Sequence, residues 1–167
     1  MTVRLARAED LPRIAAIEIS AGERFRGTHM DWAADAEPTP LAELEPAQAK
    51  GELWVAEDSG ELAGFLFAHA LDDALYIHEV SVALGHQGKG YGRALIEAAA
   101  DHARASGWAA LTLTTDRVIA WNRPLYEHLG FKVLDDGEMT LGLFDRLDHE
   151  RRLFPTSAQR CAMRRPL

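Results

Sequence analysis

At 167 residues, 47% hydrophobic and 26% charged, the chain has room for one domain with a real core and the composition of an ordinary soluble protein. Its net charge of -8 is uneven: all 26 acidic residues precede Arg151 and five arginines follow, so the first 150 residues carry -13 and the tail +5. An acidic body repels nucleic acid, no apolar run is long enough for a membrane span, and the single cysteine, Cys161, excludes an internal disulfide.

Val3 and Leu5 open a short strand, and Glu9-Asp10 ahead of Leu11, Ile14, Ala15, Ile17, Glu18 and Ile19 mark the acidic start of an amphipathic helix. The start carries no basic-then-apolar leader, so a cytoplasmic protein with no membrane partner is expected. Residues 22–40 lose periodicity around Gly22, Gly27, Pro38 and Pro40 and are expected as a loop. A short helix over 41–49 ends at Gly51. Strands at 53–57 and 62–70 follow, joined by Asp58-Ser59-Gly60 into a hairpin. Across Asp72-Asp73 comes a third strand, 75–82, rich in aromatic and β-branched residues.

That strand runs into Gly85, Gly88, Gly90 and Gly92, and from Tyr91 the chain turns to helix formers, with Leu95, Ala99 and Ala103 at helical spacing and Gly107 at the end. Glycines at a helix start leave backbone N–H groups uncovered beside the positive end of the helix dipole, which suits phosphate oxygens. Neither the dinucleotide fingerprint GxGxxG nor the P-loop GxxxxGK[ST] is present, and the antiparallel hairpins upstream also exclude a Rossmann arrangement. A turn that needs glycine for sterics alone is the competing local reading.

Leu111, Leu113 and Thr115 alternate in a strand that must lie parallel to 75–82, because a right-handed helical crossover connects the two. The stretch Trp121-Asn122-Arg123-Pro124-Leu125-Tyr126-Glu127-His128-Leu129-Gly130-Phe131 predicts a short helix with Leu125, Tyr126 and Leu129 on one face. A strand over 131–134 is followed by a helix over 140–154, with Leu141, Phe144, Leu147 and Leu153 near helical spacing. A closing strand over 160–164 ends the chain. Cys161, far in sequence from any His or acid, is read as structural, and no metal site is expected.

Two of these stretches carry a resemblance. Val80-Ser81-Val82 followed by Gln87-Gly88-Lys89-Gly90-Tyr91-Gly92 has the pattern [QR]xxGxG of the GCN5-related N-acetyltransferases (GNAT), and WNRPLYEHLGF resembles their Asn-then-LYxxxGF helix in a subgroup form with a shorter Asn-to-Tyr gap. The resemblance covers residues 75–135 by motif and the rest by layout. It implies a single domain over 1–167 with the GNAT-like acyl-CoA N-acyltransferase fold, an α/β (α+β) architecture with a mixed, mainly antiparallel central sheet and flanking helices.

The resemblance also implies acetyl-coenzyme A as co-substrate, with no metal. The pyrophosphate would be held by Gln87, Gly88, Lys89, Gly90, Tyr91, Gly92 and Arg93, with Arg123 nearby. Val80, Ser81 and Val82 would meet the pantetheine arm once the two parallel strands splay apart after Val82. Asn122 would bond the arm or, as an N-cap, serve its own helix. Tyr126 would protonate the leaving sulfur, and a core role is its alternative. Alternation puts Ile77, Glu79 and Ser81 on one face and His78, Val80 and Val82 on the other, and a carboxylate in mid-strand calls for a task or a partner. Glu79 is therefore the candidate general base, with a structural salt bridge as the alternative. On the acceptor side the family places the segment after the first helix, which makes Phe25, Arg26, His29, Met30 and Trp32 candidates, with core packing the rival for Phe25 and Trp32. The acceptor is expected to be a small-molecule amine. A peptide N-terminus or lysine, and a non-catalytic acyl-CoA-binding domain, are the alternatives, and a homodimer is a further possibility.

Overall fold

A computed structural model describes residues 1–153 and 159–167. Seven strands hydrogen-bond in the order β1-β2-β3-β4-β5-β7-β6: β1 Thr2–Leu5, β2 Leu53–Asp58, β3 Glu61–Leu71, β4 Ala74–Val82, β5 Ala110–Asp116, β6 Lys132–Val133 and β7 Arg160–Pro166. The helices are α1 Leu11–Gly22, α2 Leu41–Lys50, α3 Tyr91–Ala105, α4 Asn122–His128 and α5 Leu141–Leu153. The fold is thus α/β with a mixed, mainly antiparallel sheet in which β4 and β5 are the parallel pair. The chain divides into two compact units, residues 1–69 with 78–102 and residues 70–77 with 103–167.

In the first unit, Leu11, Ile14, Ile17 and Ala21 form a stripe at helical spacing on α1 and are buried. Ile14 and Ile17 join Leu44 and Ala47 of α2 and Val55, Phe65 and Phe67 of the sheet in one apolar cluster. α2 stops at Gly51, whose φ of 72° is the left-handed conformation that glycine adopts without strain. On α3, Leu95, Ile96, Ala99 and Ala100 are fully buried. Residues 22–40 are more regular than a loop: 3-10 turns run over Glu23–Phe25 and Asp31–Asp35.

In the second unit, β4 and β5 pair from Ala74↔Ala110 to Tyr76↔Thr112, and β7 lies antiparallel to both β5 and β6. Tyr76, Leu143, Leu147 and Ala162 make its apolar cluster. The apolar face predicted for α5 is misphased. Of the four predicted residues Leu147 is buried, but Leu141 is 84% exposed, Phe144 41% and Leu153 62%, and the other buried positions are Leu143 and Glu150; residue 154 lies outside the described residues. The stripe carries a buried carboxylate, which a search for apolar spacing passes over. Cys161 is buried as expected, and burial pushes its thiol up. Among the described residues no helix is long and apolar enough to cross a membrane.

Candidate functional site

The glycine loop inherits its geometry from β4. Residues 74–77 are buried and His78, Glu79 and Val80 half-buried. The two-residue turn at 72–73 can only join antiparallel strands and sets Leu71 opposite Ala74, so Phe67 falls opposite His78, and their rings stack at 4.8 Å. At the other end of the hairpin Ala83 donates its N–H to Ala63 O at 2.9 Å. From turn to end, β4 therefore spends one residue more than β3, the signature of a β-bulge on β4 between His78 and Ala83. The bulge reverses the alternation expected from sequence: His78 shares a face with Phe67, yet Val82 faces the same side as Gly64, whose position lies 3.2 Å from Val82 Cγ2 and 3.4 Å from Leu95 Cδ1 when a Cβ is built on it. The same Cβ would sit 2.8 Å from Ser81 O, so only glycine at 64 accommodates the β4 backbone there.

The ladder between β4 and β5 ends at Tyr76↔Thr112. The last paired position on β4, Tyr76, lies six residues before Val82, after which the splay is expected from sequence. β4 itself keeps strand conformation to Val82.

Beyond Val82 a 3-10 turn, Leu84–His86, leads into the loop. Gly88 and Gly90 have φ of 75° and 88°, left-handed values open to glycine, and a Cβ at either would meet nothing within 4 Å, so the backbone is uncovered. Ala94 N–H already bonds Gly90 O at 3.0 Å, which starts α3 and leaves the N–H groups of its first turn without helical acceptors. Gln87 and Lys89 are turned onto the loop itself: Gln87 Nε2 donates to Val82 O at 2.9 Å and Lys89 Nζ to Gly85 O at 3.0 Å. Arg93 is exposed and Gly92 half-buried. The Tyr91 ring is buried, edge-on to His86 at 5.8 Å, and its hydroxyl bonds the Asp58 carboxylate. That hydrogen bond holds the Tyr91 phenol above its ordinary range and the Asp58 carboxyl below its own.

Glu79 has a definite partner: Ser81 Oγ donates to its Oε1 at 2.7 Å. His78 directly precedes Glu79, and the His69 and His78 rings have centroids 5.7 Å apart, both against Phe67. Their grouping follows from the hairpin register, the one signal in the sequence that could have shown it. In the segment predicted for the acceptor, Phe25 and Trp32 are half-buried, His29 is exposed and Met30 is buried. Arg26 bonds Asp35 at 2.6 Å and Glu23 at 3.2 Å, and Gly27 N–H donates to Asp31 at 2.7 Å. The Glu18 carboxylate accepts Thr39 N–H at 2.9 Å and Thr39 Oγ1 at 3.1 Å, fixing the end of the segment to α1. Burial raises its carboxyl pKa despite those bonds.

The second unit holds Asn122 and Tyr126 on α4. Trp121 is the N-cap residue, with no side-chain cap bond, and Asn122 follows as the first helical residue, so the N-cap role expected for Asn122 does not apply. Tyr126 is half-buried with its ring edge-on to Phe131 at 5.9 Å, and Arg123 pairs with Glu127 at 2.7 Å. Leu125, expected on the Tyr126 face, is exposed. Ahead of α4, the buried Asp116 carboxylate accepts Val118 and Ile119 N–H groups at 2.8 Å each, a turn that sequence reading missed. Among the described residues no group of three His, Cys, Asp or Glu is arranged for a metal.

The profile of the acetyltransferase (GNAT) family matches residues 15–131. Streptothricin acetyltransferase of Streptomyces lavendulae is 40% identical over 92 residues, 54% of this chain and 48% of that protein. Human N-acetyltransferase 8B is 32% identical over 85 residues, 47% of this chain and 37% of that protein. The chain thus aligns with half or less of the length of these curated relatives. Among solved structures, the PaiA N-acetyltransferase of Thermoplasma acidophilum in complex with coenzyme A superposes with a TM-score of 0.74 at 16% identity, covering 99% of this chain and 98% of that one. The ribosomal-protein-S18-alanine N-acetyltransferase of Escherichia coli superposes with 0.70 at 24% identity, covering 99% and 92%. At these identities the likeness is one of fold.

Proposed function

The chain belongs to the acetyltransferase (GNAT) family, and on that basis we propose that it transfers an acetyl group from acetyl-coenzyme A to the primary amine of a small cationic molecule, by direct attack in a ternary complex. The observation that carries the proposal is the loop after β4, where two left-handed glycines in open space lead into the free N–H groups of α3. This backbone fits a pyrophosphate, and Lys89 and Arg93 add positive charge. The 77–82 edge of β4, past the end of the β5 ladder, suits an extended arm bonded as an added strand.

Acetyl-coenzyme A supplies the activated acetyl group. Within this reading a backbone N–H near Val82 donates to the carbonyl oxygen as it gains charge. Glu79 accepts the amine proton directly or through water, with Ser81 Oγ orienting its carboxylate. The Tyr126 hydroxyl returns a proton to the departing sulfur, and Asn122 bonds the arm. Phe25, His29, Met30 and Trp32 are assigned to the acceptor. The partial likeness to streptothricin acetyltransferase supports a small-molecule amine, and the -13 charge of the first 150 residues favours a cationic one.

Thiol release from acetyl-coenzyme A over a panel of amines and peptides tests this. Cationic amines should react best, with activity rising with pH and apparent affinity falling with added salt. Turnover confined to peptides, or to neutral or acidic amines without salt dependence, would contradict the acceptor assignment.

A further inference from the structure

We propose that Asp58 is a positioning residue that clamps both ends of segment 87–90 and presets the backbone offered to the pyrophosphate. The inference rests on the coenzyme A reading of the loop and adds to it a residue outside the loop.

Asp58 closes β2 and lies opposite Glu61 across a tight turn in which Ser59 and Gly60 take φ of 53° and 87°, so its carboxylate stands on a short hairpin. Ser59 Oγ donates to Asp58 Oδ1 at 3.3 Å. From there the carboxylate reaches two residues about 30 positions along the chain. Asp58 Oδ2 is 3.7 Å from His86 Nε2, and the other attachment is the Tyr91 hydroxyl. His86 is the last residue before the segment and Tyr91 the first after it, and their rings also meet edge to face at 77°. Tyr91 is 4% exposed, which fixes its backbone, the first residue of α3. Between these two anchors, Gln87 and Lys89 fold back onto Val82 O and Gly85 O. The four residues are therefore restrained at both ends and from within. A flexible glycine segment otherwise loses considerable backbone entropy when a ligand orders it, and prior ordering removes that cost from binding.

Charge argues that this carboxylate has no direct binding role. Asp58 carries the same sign as a pyrophosphate, so by Coulomb repulsion alone its removal would tighten anion binding. Loss of a clamp would weaken it. The two effects have opposite signs, and one titration separates them.

The test is calorimetric titration of coenzyme A into the wild type, Asp58→Asn, Tyr91→Phe and the double variant, with thermal melts to establish that each is folded. We expect each single variant to bind about three- to tenfold more weakly and the double variant to be no weaker than the weaker single, because both substitutions break one attachment. KM for acetyl-coenzyme A should rise by the same factor, with a smaller change in kcat. Unchanged or tighter binding by Asp58→Asn, or additive losses in the double variant, would overturn the clamp. A wild type that binds no coenzyme A would instead overturn the reading of the loop, and the clamp with it.

Discussion

Around the glycine loop, the half-buried Gln87 and the exposed Lys89 each make a single side-chain hydrogen bond, to Val82 O and Gly85 O. Around Glu150 the same kinds of group are used in the opposite way. That carboxylate is 4% exposed and accepts from Tyr76 at 3.3 Å, Thr114 at 2.6 Å, Arg146 at 2.7 Å and Arg160 at 2.9 Å. Arg146 also lies 5.5 Å over the Tyr76 ring. Exposed contacts are weak and exchangeable, so Lys89 can leave Gly85 O for a phosphate at small cost. The buried cluster cannot lose a member without leaving charge uncompensated. The difference separates a loop whose side chains can turn to a ligand over a preset backbone from a cluster built to stay as it is.

The largest effect should come from breaking the buried cluster. Glu150→Ala leaves Arg146 and Arg160 without their shared carboxylate and should cost about 3–5 kcal/mol, read as a lowered urea midpoint. Coenzyme A affinity under native conditions should stay within about twofold, since the loop belongs to the other unit. A midpoint close to wild type would erase the contrast between the two regions.

Next in size is Gly64→Ala, which forces a Cβ against the Ser81 carbonyl at the β4 bulge and should cost about 1–3 kcal/mol as overpacking. Turnover should fall about tenfold, because the N–H groups near Val82 shift with the bulge. Gly142→Ala is the matched control. Its Cβ would displace the Asp72 carboxylate, which accepts Leu143 N–H at 3.2 Å, and should cost stability while leaving turnover unchanged. Equal losses of turnover in both variants would make the effect of Gly64 a general one.

Smaller, and opposite in sign between Glu150 and Glu18 of the first unit, is the response to acid. Burial works against ionisation of Glu150, but Arg160, the Thr114 hydrogen bond and Arg146 outweigh it, and its pKa is lowered. Its contribution is present above the unfolded carboxyl range and lost as pH falls through the folded value. Burial raises the Glu18 pKa, so its contribution is present at low pH and lost as pH rises through the folded value. Relative to Glu150→Gln, the wild type should lose stability on acidification. Relative to Glu18→Gln it should gain. Denaturant midpoints against pH check both, and a common sign would contradict the pair.

Much of this contrast was hidden in the sequence. The strands, α1 to α3 and the glycine loop were legible because apolar periodicity and glycine punctuation are local signals, and β4 ends at Val82 as expected. The bulge was not legible, since one extra residue leaves a pattern such as His78-Glu79-Val80-Ser81-Val82 looking like unbroken alternation. The buried face of α5 was missed because Glu150 belongs to it and is paid for by partners on other elements. Asp58 looked like the start of a hairpin turn, since nothing nearby in sequence shows that it reaches His86 and Tyr91. Each of the three misses depends on pairing between distant parts of the chain.

The claim on which the rest depends is that the backbone after β4 receives the coenzyme A pyrophosphate. Calorimetric titration of coenzyme A into the wild type and Gly90→Asp tests it most directly, because Gly90 has a left-handed φ and open space where a ligand would lie, and the substitution adds a negative charge there. The wild type should bind, and the variant should lose at least about tenfold in affinity, in keeping with a charge-assisted phosphate site. Equal affinity in the two proteins would show that the loop is not the cradle.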